Sequence, residues 1–158
     1  MLLKATLAIR ALGIWKIPLI FAVRPRVIEL NDDGCAVEIP LRRFTKNHYG
    51  TMYFGALAIG ADLAGGLNAA WLMYSKYKGV NLIFKDFHAE FLKRPDGNVV
   101  FRTTEGRIIL DAVREAHASG KRITIPVHIV ATVPSKSATE PVARFTLGLS
   151  LKRSTSGD

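Results

Sequence analysis

Residues Thr51 to Ser75 read TMYFGALAIGADLAGGLNAAWLMYS, 25 residues that carry a single charge, Asp62. A stretch so long and apolar is either a membrane span or a helix buried on all sides. A carboxylate near the centre of a lone span costs about 2.5–3.5 kcal/mol on insertion scales, and no second span is present to pair with it. The buried helix is therefore the better reading. A helix of about 20 residues is roughly 30 Å long, and several strands are needed to hide its circumference.

The flanks supply those strands. Upstream, Val27 to Leu30 and Cys35 to Leu41 are separated by Asn31-Asp32-Asp33-Gly34, which predicts a hairpin, with Pro40 closing its second strand. Downstream, Val80 to Phe91, Val99 to Thr104, Arg122 to Val133 and Val142 to Leu151 are strand-like, and Pro95-Asp96-Gly97-Asn98 is a turn. A short helix over about Ile108 to Ser119 ends at Gly120, a plausible left-handed C′ position. The order predicts an α+β fold in which a long antiparallel sheet wraps one central helix. No linker divides the chain: 1–24 form an N-terminal helix and connector, 25–153 a single domain, and 154–158 a tail.

Composition agrees. The chain has 158 residues, 49% hydrophobic and 22% charged, enough for one domain with a real core and too apolar for a disordered protein. Its one cysteine, Cys35, excludes a disulfide scaffold and a Cys-based zinc site, and a lone thiol suits a cytoplasmic protein. Cys35 itself reads as buried packing. His48, His88, His117 and His128 lack metal-motif spacing, so no metal is expected. The first helix, over Met1 to Ile14, has apolar residues interrupted by Lys4 and Arg10 and reads as lying on the domain, with contact to a membrane surface as the alternative.

The chemistry-bearing constellation runs into the long helix: Asn47-His48-Tyr49-Gly50-Thr51-Met52-Tyr53-Phe54-Gly55, then Asp62. Gly50 and Gly55 bracket the helix start, where free backbone N–H groups and the positive end of the dipole receive partial negative charge. With a helix beginning near Tyr53, Gly55 and Asp62 stand two turns apart on one face, in a stripe with Ala58, Ile59, Gly65, Gly66 and Ala69. Asp62 has no basic partner nearby in sequence, so it is either a compensated core carboxylate or a functional acid. Asn47 suits a turn as well as a catalytic role.

The pattern Asn-x-x-Gly-x-x-Tyr-x-Gly-x6-Asp, made by Asn47, Gly50, Tyr53, Gly55 and Asp62, resembles the hotdog-fold acyl-CoA thioesterases of the phenylacetate-degradation type. Gly50-Thr51 with Gly55-Ala56-Leu57 looks closer to an uncharacterised subgroup of that superfamily. The resemblance covers about Pro25 to Lys152, and its sharp part is sixteen residues long. It implies a hotdog fold, a homodimer or dimer of dimers joined edge to edge through the sheets, and a site between subunits. It implies that the Gly55 amide polarises a thioester carbonyl and that Asp62, often from the opposite subunit, activates water or attacks directly; both roles are chemically sound. Asn47 would hold the attacking water. Tyr53 stands where the family has His, and Phe54 where it has its first Gly. These two, with Gly50 and Thr51, are expected to meet the substrate.

The net charge of +9 favours anionic partners. Coenzyme A, as part of the substrate rather than as a cofactor, carries a diphosphate and a 3′-phosphate that Lys or Arg would bind; Lys121 and Arg122 are the first candidates among clusters that include Arg42-Arg43-Lys46 and Lys93-Arg94. The absence of zinc-finger, RNP-like or helix-turn-helix patterns argues against nucleic acid. The expected function is acyl- or aroyl-CoA thioester hydrolysis; the alternative is a non-catalytic acyl-binding hotdog module.

Overall fold

The computed structural model describes residues 2–154. Six strands form one antiparallel sheet: β1 (Arg26–Leu30), β2 (Cys35–Ile39), β3 (Val80–Phe91), β4 (Val99–Thr103), β5 (Ile123–Val133) and β6 (Ser137–Arg153). Their order across the sheet is β1-β2-β4-β5-β6-β3. The helices are α1 (Leu2–Trp15), α2 (Pro18–Val23), α3 (Phe54–Ser75) and α4 (Gly106–Ser119). The α+β reading therefore holds, and the sheet curls around α3.

Local chemistry accounts for the boundaries. Asn31 Oδ1 accepts from the Asp33 and Gly34 N–H groups, both at 2.9 Å, and turns the chain from β1 into β2. Gly120 caps α4 in the left-handed region, at φ 68°. β5 and β6 form a long hairpin whose register runs from Ile123↔Leu151 to Val133↔Ser137. β6 is longer than the expected Val142 to Leu151 and absorbs Lys152 and Arg153, because β3 pairs with it as far as Val80↔Arg153. The tail expected at 154–158 lies, beyond Ser154, outside the described residues, as does Met1.

Two expectations need correction. The N-terminal segment holds a second helix, α2, with Pro18 in its first turn; the proline that limits α1 also preorganises its successor. And α3 is not buried on all sides. The sheet covers one side, closely enough that a Cβ at Gly60 would lie 2.2 Å from the Phe101 ring. A second flank is covered at Leu63, which joins a cluster with Ile9 of α1, Ile20 of α2, Val27, Leu30, Cys35 and Val37. Between these covers a strip containing Ala58, Ile59, Asp62 and Gly66 stays half-exposed. The six-stranded sheet, with α1, α2 and α4 packed beside it, does not close the circumference.

Candidate functional site

The loop before α3 is built by side-chain hydrogen bonds. Asn47 Oδ1 accepts from the N–H groups of Tyr49 at 3.0 Å and Thr51 at 3.2 Å, and Asn47 Nδ2 donates to Thr51 Oγ1 at 3.1 Å. Gly50 sits at the tip with φ 80°, a conformation that favours glycine. The loop is then tied down: the Met52 N–H donates to Pro95 O at 2.9 Å and the Tyr53 N–H to Thr45 O at 2.8 Å. Asn47 thus organises the loop, and its amide is engaged there.

Tyr53 is the N-cap of α3, and no side chain caps the helix. Its carbonyl accepts from Ala56 at 2.9 Å and Leu57 at 3.1 Å. The preceding N–H groups, of Phe54 and Gly55, lie in the first turn, where the helix itself offers no acceptor and the dipole is positive. The Tyr53 ring lies against Gly55, where a Cβ would come within 2.6 Å of Tyr53 Cε1. Tyr53, Phe54 and Phe91 form an aromatic wall, with ring centroids 4.7 Å apart for the first pair and 6.4 Å for the second.

Beside this helix start lies a groove of about 460 Å³, lined by Asn47, Thr51, Tyr53 and Phe54 from the expected set, while Gly50 and Gly55 are not part of its lining. It is also lined by His48, Tyr49, Met52, Leu57 and the segment Phe91 to Pro95. The last segment reaches the site only through the fold. Its signal in the sequence was the Lys93-Arg94 pair: the Arg94 guanidinium stacks 4.9 Å from the Tyr49 ring centroid, and Lys93 pairs with Glu140. Lys121 and Arg122 lie elsewhere. Arg122 Nη1 donates to Ser150 Oγ at 3.0 Å, beside Lys152 and Arg153, at the end of the sheet where β3 begins. Phe91 is at the other end of β3, about 36 Å away at strand rise.

Asp62 lies outside the groove. Seven residues along a helix is about 10 Å, so Gly55 and Asp62 of one chain do not meet at one carbonyl. Of the expected stripe, Gly65 and Ala69 are covered, Gly65 by Ile129 and Leu147, because the sheet closes over that margin of the helix. Gly66 meets the Phe84 ring of β3, so the open strip faces the β3 edge of the sheet. Among the described residues Asp62 has no ion pair and no side-chain hydrogen bond, and burial pushes its carboxyl above the usual range.

Residues 6–147 match the family described as Domain of unknown function (DUF4442). The chain belongs to that family. Comparison with curated proteins returns no match. Among solved structures, a candidate thioesterase from Shewanella oneidensis superposes with a TM-score of 0.76 at 16% identity, covering 96% of this chain and 99% of that one. A protein of unknown function from Chlorobaculum tepidum superposes with a TM-score of 0.79 at 11% identity, covering 96% of each chain. A thioesterase from Haemophilus influenzae has a TM-score of 0.62 at 14% identity over 85% of this chain and 82% of that one. The fold of this DUF4442 member is the hotdog fold.

Proposed function

We propose that this protein hydrolyses the thioester of an acyl- or aroyl-CoA. The observation that carries the reading is the N-terminus of α3, without a side-chain cap, beside an aromatic-walled groove and on the same helix as a carboxylate that is unpaired among the described residues. The thioester carbonyl would accept from the Gly55 N–H, which stabilises the oxyanion as water attacks. A carboxylate would take the proton from that water, and burial makes Asp62 a stronger base than an exposed aspartate. Coenzyme A leaves as the thiol.

Because Gly55 and Asp62 of one chain stand about 10 Å apart, the acid facing Gly55 would come from a second copy. β3 is one of the two edge strands of the sheet, and Ile83, Phe87 and Phe91 are exposed on it. Two β3 edges pairing antiparallel would form a homodimer with a continuous sheet. That pairing would set the start of one β3, with Arg122, Lys152 and Arg153, beside the Phe91 end of the other. The coenzyme A phosphates would then meet Lys93 and Arg94 from one chain and the Arg122 cluster from its partner.

The packing of Tyr53 on Gly55 favours a second reading, an acyl-binding module without hydrolysis. Thiol release from a panel of acyl- and aroyl-CoA thioesters, by wild type and Asp62→Asn, decides between them. Release by wild type that falls about 100-fold or more in a folded Asp62→Asn supports hydrolysis. Binding without release across the panel supports the module.

A further inference from the structure

α1 is locked onto the body in one orientation. Ile9 and Gly13 are buried, Thr6 Oγ1 accepts from the Val27 N–H at 3.0 Å, and Arg10 Nε donates to Pro25 O at 3.1 Å. The face turned outward should then be polar, as on an ordinary surface helix. It is instead apolar: Leu3, Leu7, Ile14 and Trp15 are 72%, 56%, 55% and 83% exposed, and Leu19 of α2 continues the patch at 67%. A helix apolar on both faces has a partner on each, and the outer partner is the one to identify.

Charge identifies it. Residues 1–28 contain Lys4, Arg10, Lys16, Arg24 and Arg26 and no Asp or Glu; Lys4, Lys16 and Arg24 are exposed. A two-fold contact between copies through this face would set cation against cation around the apolar patch, whereas an anionic surface complements it. Trp15, exposed at the C-terminal end of α1 beside Lys16, combines an apolar ring with a polar N–H, the pattern of an interfacial anchor. On the flank of α1, Lys4, Ala8 and Leu12 border an apolar groove of about 500 Å³ against Leu67 and Trp71 of α3, which extends the apolar surface. We propose that the outer face of α1 and α2 docks on an anionic lipid bilayer, with Leu3, Leu7, Ile14 and Trp15 entering the acyl boundary and Lys4 and Lys16 among the headgroups. This surface is separate from the groove at the N-terminal end of α3 and does not depend on hydrolysis.

The test uses the full chain with vesicles of phosphatidylglycerol and phosphatidylcholine, or of phosphatidylcholine alone, read by co-sedimentation. A Trp71→Phe background leaves Trp15 as the fluorescent reporter. Binding to anionic vesicles with a blue shift of Trp15 emission is expected. Leu7→Glu with Ile14→Glu should abolish it while circular dichroism stays unchanged, since both side chains are exposed. Lys4→Gln with Lys16→Gln should weaken it about 30-fold, roughly fivefold per cation. No binding to anionic vesicles, equal binding to phosphatidylcholine alone, or binding retained by the Leu7→Glu, Ile14→Glu variant overturns the proposal. So does self-association that this variant abolishes in a wild type that ignores vesicles; that result assigns the face to a second copy.

Discussion

At Asp62 a carboxylate is half-buried with no partner among the described residues, and the cost is legible in its titration. Its folded-state pKa is raised, so the folded protein holds the proton more tightly than the unfolded chain. The stability this contributes is complete below the ordinary carboxylate range and is lost as pH rises through the folded value. Asp62→Asn has no such loss. Its unfolding midpoint should match wild type near about pH 3 and exceed it near about pH 7; a gap of constant size would contradict the desolvated carboxylate. Cys35 is the opposite case, a group shielded into inertness. Burial, with repulsion from Glu29, pushes its thiol up to about 12, and Arg102 pulls the other way. Native protein should therefore resist a thiol reagent at neutral pH and react fully once unfolded. Asn47 illustrates what a sequence reader cannot settle. Its type fits a turn and a water-holding role equally, and only the distances to Tyr49 and Thr51 show its amide engaged in the loop.

At the scale of elements, α3 meets the sheet at Gly60 with no side chain of its own, and the Phe101 ring packs onto the helix backbone there. Adding one methyl there drives it into the buried Phe101 ring, so Gly60→Ala should destabilise by roughly 1–3 kcal/mol, measured by denaturant unfolding. That exceeds the slight gain alanine offers in an isolated helix. The hairpin β1–β2, the β3 span, the C-cap at Gly120 and the start of α3 at Phe54 all follow from nearby residues, and each was legible before folding was considered. α2 was not. Six residues that begin with a proline carry too little periodicity to announce a helix, and the segment is fixed by packing, with Gly13 of α1 so close to Phe21 that a Cβ would lie 2.6 Å from its backbone nitrogen.

For the whole molecule, the exposed β3 edge is the feature that a lone subunit leaves unsatisfied. An edge strand with Ile83, Phe87 and Phe91 exposed invites pairing. Light scattering at micromolar concentration should give a dimer mass, and Ile83→Lys with Phe87→Lys should shift it to monomer. If the groove draws its acid from the second copy, thiol release should fall with dimer content in that variant.

The chain's own order of residues determined the elements and the chemistry available. An apolar run with one carboxylate makes a core helix, turn residues bound the strands, and a glycine-bracketed start leaves amides free; each is a local consequence of propensity, solvation or hydrogen-bonding type. Tertiary structure decided the neighbours. β2 pairs with β4 and β3 with β6, partners far apart in sequence, and this non-local pairing carries Lys93-Arg94 to the groove while Lys121-Arg122 goes to the other end of the sheet. It also decided which side of α3 stays open. Local patterns specify that a face is apolar, but coverage depends on how far one finite, curled sheet reaches around the helix, and here it stops short of Asp62.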